Sequence, residues 1–121
     1  MGDPVYRIVG QDDWHITRRE GQVPRSGPDE SDGFVHLSTA ESVLETANLY
    51  FEVSQAPVVL EIDSLALGDA LKWEAVEQRG GTVFPHLYAP GIPLAAIRAV
   101  IELDHTSSGF TTGNRTPVAP S

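Results

Sequence analysis

Phe34-Val35-His36-Leu37-Ser38-Thr39-Ala40-Glu41 is the stretch on which the fold turns. Its first five residues favour a strand, and alternation sends Phe34, His36 and Ser38 to one face and Val35 and Leu37 to the other. The aliphatic face suits the main core, which leaves His36 and Ser38 on a second surface. Ser38-Thr39-Ala40-Glu41 has the spacing of a capping box, so the strand is expected to run directly into a helix that Ser38 caps. In that helix Val43, Leu44, Ala47 and Phe51 fall at steps of three and four, one apolar stripe, with Glu45 and Asn48 opposite.

Working outward, residues 5–9 form a strand closed by Gly10. A short helix follows, with Asp12 and Asp13 first, Arg18 and Arg19 last, and Gly21 as its stop. Residues 22–32, QVPRSGPDESD, have no apolar period and read as an irregular loop. Pro57-Val58-Val59-Leu60-Glu61-Ile62 is almost continuously apolar, the mark of a central strand buried on both faces. Lys72-Trp73-Glu74-Ala75-Val76 is a fourth strand, and residues 78–81 supply a turn. Residues 83–88 form a fifth strand, which Pro85 pushes toward an edge or an irregular start. Residues 97–103 form the last strand. The whole is an α+β fold in one domain, residues 1–110, followed by a mobile polar tail over residues 111–121.

A chain of 121 residues suits one core, and 40% apolar with 21% charged residues is the composition of a globular domain. Eight Lys and Arg against seventeen Asp and Glu leave a net charge of −9, which argues against an extended nucleic-acid partner. Cysteine is absent, which excludes disulfides, thiolate metal sites, Fe–S clusters and a cysteine nucleophile. The start lacks the apolar core of a secretion signal, and no apolar run approaches the roughly 20 residues that span a bilayer. A cytoplasmic protein without a membrane partner is expected.

The sequence lacks a P-loop, a nucleophile elbow, a dinucleotide-type GxGxxG and HExxH. The informative signal is a repeated pattern, Phe34-x-His36-x-Ser38 and Phe84-x-His86-x-Tyr88. Each trio lies on one strand face, so the two histidines are expected to share a ligand cleft. A lone strand histidine is more often a structural hydrogen-bonding residue, and Ser38 already has work as a cap; Trp73, Phe34 and Phe84 read as core rather than as stacking platforms. Two His and a carboxylate such as Glu74 also suit an open iron or zinc site, but His36 and His86 stand fifty positions apart with no H-x-H or H-x-D pair. No metal is expected.

Tyr6, Trp14, Asp32-Gly33-Phe34-Val35-His36-Leu37-Ser38-Thr39-Ala40, Val58-Val59-Leu60-Glu61-Ile62-Asp63, Lys72-Trp73-Glu74 and Phe84-Pro85-His86-Leu87-Tyr88 together resemble the domain of unknown function 952 family over about residues 4–110. That resemblance implies an uncharacterised small bacterial-type domain with an ADP-ribosyltransferase-like fold, a split mixed β-sheet with packed helices, and a cleft for NAD-like ligands. Val35-His36-Leu37-Ser38 and Pro57-Val58-Val59-Leu60 are also similar to segments of tRNA 2′-phosphotransferases, whose YHGT-like first strand Tyr6 matches while Arg7 replaces its His. The resulting expectation is binding of a nucleotide such as NAD or ADP-ribose by Tyr6, Arg7, His36, Ser38, His86 and Tyr88. Group transfer would be supported by His36 and Glu74. Arg7, the Ser38 hydroxyl and the helix N-terminus behind it would hold the diphosphate. Binding is better supported than turnover, because Val83-Phe84-Pro85 lacks the glutamate common in ADP-ribosyltransferases. A non-catalytic structural or interaction module and a two-His-one-carboxylate metal enzyme are the alternatives.

Overall fold

The computed structural model describes residues 3–118. In chain order its elements are β1 (Pro4–Val9), α1 (Gln11–Glu20), β2 (Gln22–Pro24), α2 (Gly27–Asp32), β3 (Val35–His36), α3 (Val43–Tyr50), β4 (Val58–Asp63), β5 (Leu71–Val76), β6 (Thr82–Leu87), β7 (Gly91–Pro93), β8 (Ile97–Thr106) and β9 (Gly109–Pro117). Short 3-10 turns lie among the connections. The strands form a four-stranded sheet in the order β1-β4-β8-β9, a three-stranded sheet β3-β6-β5 and a two-stranded ribbon β2-β7.

The apolar run of β4 organises this arrangement. Val58, Leu60 and Ile62 point into a core shared with Val5, Val9, Trp14, Val35, Leu37, Leu87 and Ile92. Val59, one pleat out of phase, joins Ile8, Val43, Ala47 and Phe110 on the opposite face. A strand apolar at nearly every position can serve two cores at once, and each fully buried aliphatic contributes roughly 1.5–3 kcal/mol. Helix α3 covers the second face with Val43 and Ala47, the stripe read from its spacing. Helix α1 buries Trp14 and ends at Gly21, whose left-handed φ of 83° suits glycine and whose N–H bonds Thr17 O.

Several expectations are corrected. All strand pairings among the described residues are antiparallel, so the sheet is not mixed. The supposed loop at 22–32 holds β2 and α2. Ser38 does not cap a helix: its backbone pairs with Tyr6 in an isolated bridge, and α3 begins only at Val43 after a turn in which Thr39 and Ser42 bond each other. β6 is the middle strand of its sheet despite Pro85. The Pro85 carbonyl accepts from Leu37 N–H. The missing N–H lies on that same side, beyond the end of β3, where little regular ladder is lost. Trp73 is 53% exposed rather than core.

The tail expected over residues 111–121 is mostly strand. Up to Pro117 it belongs to β9, which pairs with β8, and residues 119–121 lie outside the described residues. Phe110 anchors the hairpin in the second core, its N–H bonding Asn48 Oδ1 of α3 at 2.8 Å. Arg115 then grips Glu61 of β4 with two hydrogen bonds, at 3.1 and 2.7 Å.

Candidate functional site

The short pairing of β3 with β6 sets His36 directly opposite His86. Their ring centroids are 5.9 Å apart, edge to face. Phe34 stacks on His86 at 4.0 Å and touches His36 at 4.7 Å, so three rings from two distant segments meet on one face of this sheet. The alternating pattern of the two strands accounts for this, since Val35, Leu37 and Leu87 turn into the main core.

Beneath His36 lies an acid that sequence reading missed. Ser26 caps α2, and Asp29 at its third position returns a bond to Ser26 N–H, a capping box with Pro28 in the first turn. Asp29 is fully buried. Its carboxylate accepts from Arg7 Nη1 at 3.3 Å and Nη2 at 2.7 Å, from Ser26 N–H at 2.8 Å and from His36 N–H at 3.1 Å. It also accepts from His36 Nδ1 at 2.7 Å. Burial alone raises its pKa, but the His36 bond, the Arg7 charge and the Ser26 N–H outweigh it and hold the carboxyl well below its ordinary range. Arg7 Nη1 also bonds His36 O at 2.8 Å.

His36 Nε2 faces Asp32 Oδ2 at 2.7 Å, so both ring nitrogens meet carboxylates. Ionised carboxylates only accept, so this arrangement favours the doubly protonated imidazolium. The Asp29 bond, against the opposing effect of burial and with help from Asp32, raises its pKa.

His86 is held differently. Its Nδ1 faces Glu74 Oε1 at 2.9 Å, and the same oxygen accepts from Tyr88 O–H at 2.6 Å. Glu74 reaches His86 because Lys72 is the residue directly opposite it on β5, placing Glu74 at the diagonal position. The bonds from Tyr88 and His86 keep the Glu74 carboxyl below its usual range, and Glu74 in turn raises the Tyr88 phenol.

A cleft of about 740 Å³ opens at this face, within the range of small-molecule sites. Of the residues expected there, Arg7, His36, Ser38 and His86 line it; Tyr6, Glu74 and Tyr88 do not. Tyr6 and Arg7 are neighbours on one strand and must face opposite ways. Arg7 reaches the cleft, while Tyr6 packs on the second core, where burial and the Glu61 charge outweigh Arg115 and Arg98 and raise its pKa. Tyr88 lines a separate shallow depression with Arg25 and Ala89. Sequence reading also missed Asp32, Arg79 and Phe84 as cleft residues. Arg79 rests over the Phe84 ring at 4.7 Å and bonds Glu45 and Thr46 of α3. Ser26-Gly27-Pro28-Asp29, a cap followed by proline and a carboxylate three residues on, is the signal that could have located Asp29.

Among the described residues, no three His, Asp or Glu side chains gather as a metal-binding group, and no helix is long and apolar enough to cross a membrane.

Fold and site thus define a small α+β domain with a two-histidine cleft between its sheets. The chain belongs to the family described as protein of unknown function (DUF952), whose model matches residues 8–100. It is similar to protein CC0527 from Caulobacter crescentus. The crystal structure of that protein is 35% identical with a TM-score of 0.77, covering 95% of this chain and 93% of that one. Its solution structure is 37% identical with a TM-score of 0.73, covering 88% and 90%. No curated protein matches.

Proposed function

We propose that this chain binds a small nucleotide such as NAD or ADP-ribose in the two-histidine cleft, on an ADP-ribosyltransferase-like fold. The observation that carries the reading is the convergence of both imidazoles, three arginines and an aromatic wall on one hollow of about 740 Å³. Although the chain carries −9, Arg7, Arg25 and Arg79 balance Asp13, Asp29 and Asp32 in the lining, and the His36 imidazolium adds a further positive charge. An anionic ligand meets less repulsion there than over the rest of the surface.

The roles shift from those read in the sequence. Arg7 is committed to Asp29 and His36 O, so it shapes the site. Arg79, whose partner Glu45 is 69% exposed and easily exchanged, is the better cation for a diphosphate. Tyr50 offers an exposed face for a base or a nicotinamide ring, while the buried Phe84 ring backs Arg79. Ser38 supplies a hydroxyl without a helix N-terminus behind it. Titrating NAD and ADP-ribose while following amide shifts tests the reading. Perturbation is expected at His36, Ser38, Arg79, Phe84 and His86, and an unchanged spectrum at millimolar ligand counts against it.

A further inference from the structure

The Glu74–His86 pair does something that binding alone leaves unused. Because a carboxylate only accepts, the Nδ1–H tautomer of His86 is the one that fits the Glu74 contact, and in that tautomer the lone pair lies on Nε2. Nε2 has no hydrogen-bond partner among the described residues, and it is absent from the buried polar atoms that lack one. It is therefore reached from the cleft that His86 lines. The ring is fixed from three sides: Phe34 stacks on it at 4.0 Å and 23°, β5 and β3 hold its backbone from either edge, and Glu74 is itself pinned by Tyr88. His36 has both nitrogens occupied and no site left for a proton.

We propose that His86 Nε2 is the general base of this cleft, with Glu74 and Tyr88 as positioning residues, in the transfer of ADP-ribose from bound NAD to water. This rests on the nucleotide reading above. The water oxygen bonds to ribose C1′ as the bond from C1′ to the pyridinium nitrogen breaks. The electron pair of that bond leaves with neutral nicotinamide. The water proton passes to Nε2 and from there to solvent, giving ADP-ribose, nicotinamide and one proton. A positioned base contributes typically about 10²–10⁴ in rate.

The test measures nicotinamide release from NAD for the wild type, His86→Gln, Glu74→Gln and Tyr88→Phe, beside the NAD titration of each. Long-range proton–nitrogen spectra of the histidine rings are recorded without ligand. The wild type should release nicotinamide and show His86 as a single Nδ1–H tautomer. His86→Gln should lose release by about 10²–10⁴ while NAD still shifts the same amides. Glu74→Gln should mix the tautomers and lower kcat with KM little changed, and Tyr88→Phe should do so more weakly. If His86→Gln does not fold, the tautomer spectra and Glu74→Gln decide. An Nε2–H tautomer in the wild type, or undiminished release in His86→Gln, overturns the proposal. Absence of release with the titration intact removes the base and leaves nucleotide binding standing; absence of both removes both.

Discussion

His36 and His86 face each other across one ladder, yet their surroundings could hardly differ more. His36 sits between two carboxylates in a network with Arg7, so two positive and two negative groups neutralise one another where Asp29 is wholly buried. His86 meets a single carboxylate and keeps one nitrogen toward the cleft. Buried charges persist only when paired, so the His36 side has the character of a structural brace, although Arg7 Nε within it finds no hydrogen-bond partner among the described residues. The His86 side retains the unsatisfied capacity that chemistry needs. One residue type in one sheet therefore serves two purposes, and the number of carboxylates around each ring decides which.

The most forceful way to break this contrast is Asp29→Ala. It leaves the Arg7 guanidinium buried without its partner and strips α2 of its capping box, so a loss of about 3–5 kcal/mol is expected in urea unfolding. The Glu74–His86 pair should keep its tautomer in whatever folded population remains. A loss below about 1 kcal/mol would show that the brace is not structural.

His36→Gln comes next, at about 1–2 kcal/mol near pH 6, discounted because the ring is 38% exposed. Its pH dependence sharpens the comparison. The folded pKa of His36 is raised above 6.5 by Asp29 and Asp32, so the stability it adds is fully present below pH 6.5 and is lost as pH rises through the folded value. Asp29 runs the other way: its stabilisation is present above about pH 3.8 and is lost as pH falls through its depressed folded value. Unfolding measured from pH 9 down to about pH 1.5 should show both declines, and His36→Gln should remove the alkaline one. An alkaline decline of undiminished size in the variant would assign it to another group.

The elements legible in the sequence were those whose signal is local. β4 was visible in its apolar run, α1 in its charges and Gly21, and the shared face of the two histidines in the repeated Phe-x-His pattern. The misses depend on partners far along the chain. α2 has six residues, too short to persist alone, and is held by Asp29 reaching Arg7 and His36. Polarity hid β9, yet Thr111, Thr112 and Thr116 are β-branched and fit an exposed edge strand anchored by Phe110. Placing Tyr6 beside Arg7 in one cleft ignored strand alternation, a rule the sequence already contained.

The smallest expected effect is the most discriminating. Asp32 is 52% exposed, and Asp32→Asn keeps an oxygen that can accept from His36 Nε2 while removing the charge. Stability near pH 6 should change by no more than about 0.5 kcal/mol, as for other exposed pairs. The His36 pKa should nevertheless move down, because one of the two carboxylates favouring the imidazolium has gone, and the alkaline loss of stability should begin at lower pH. Following the His36 ring protons through a pH titration measures this directly. An unmoved titration would mean that Asp32 does not hold Nε2 in solution; that nitrogen would then stand as open to the cleft as its counterpart on His86, and the two rings would no longer be distinguished by their partners.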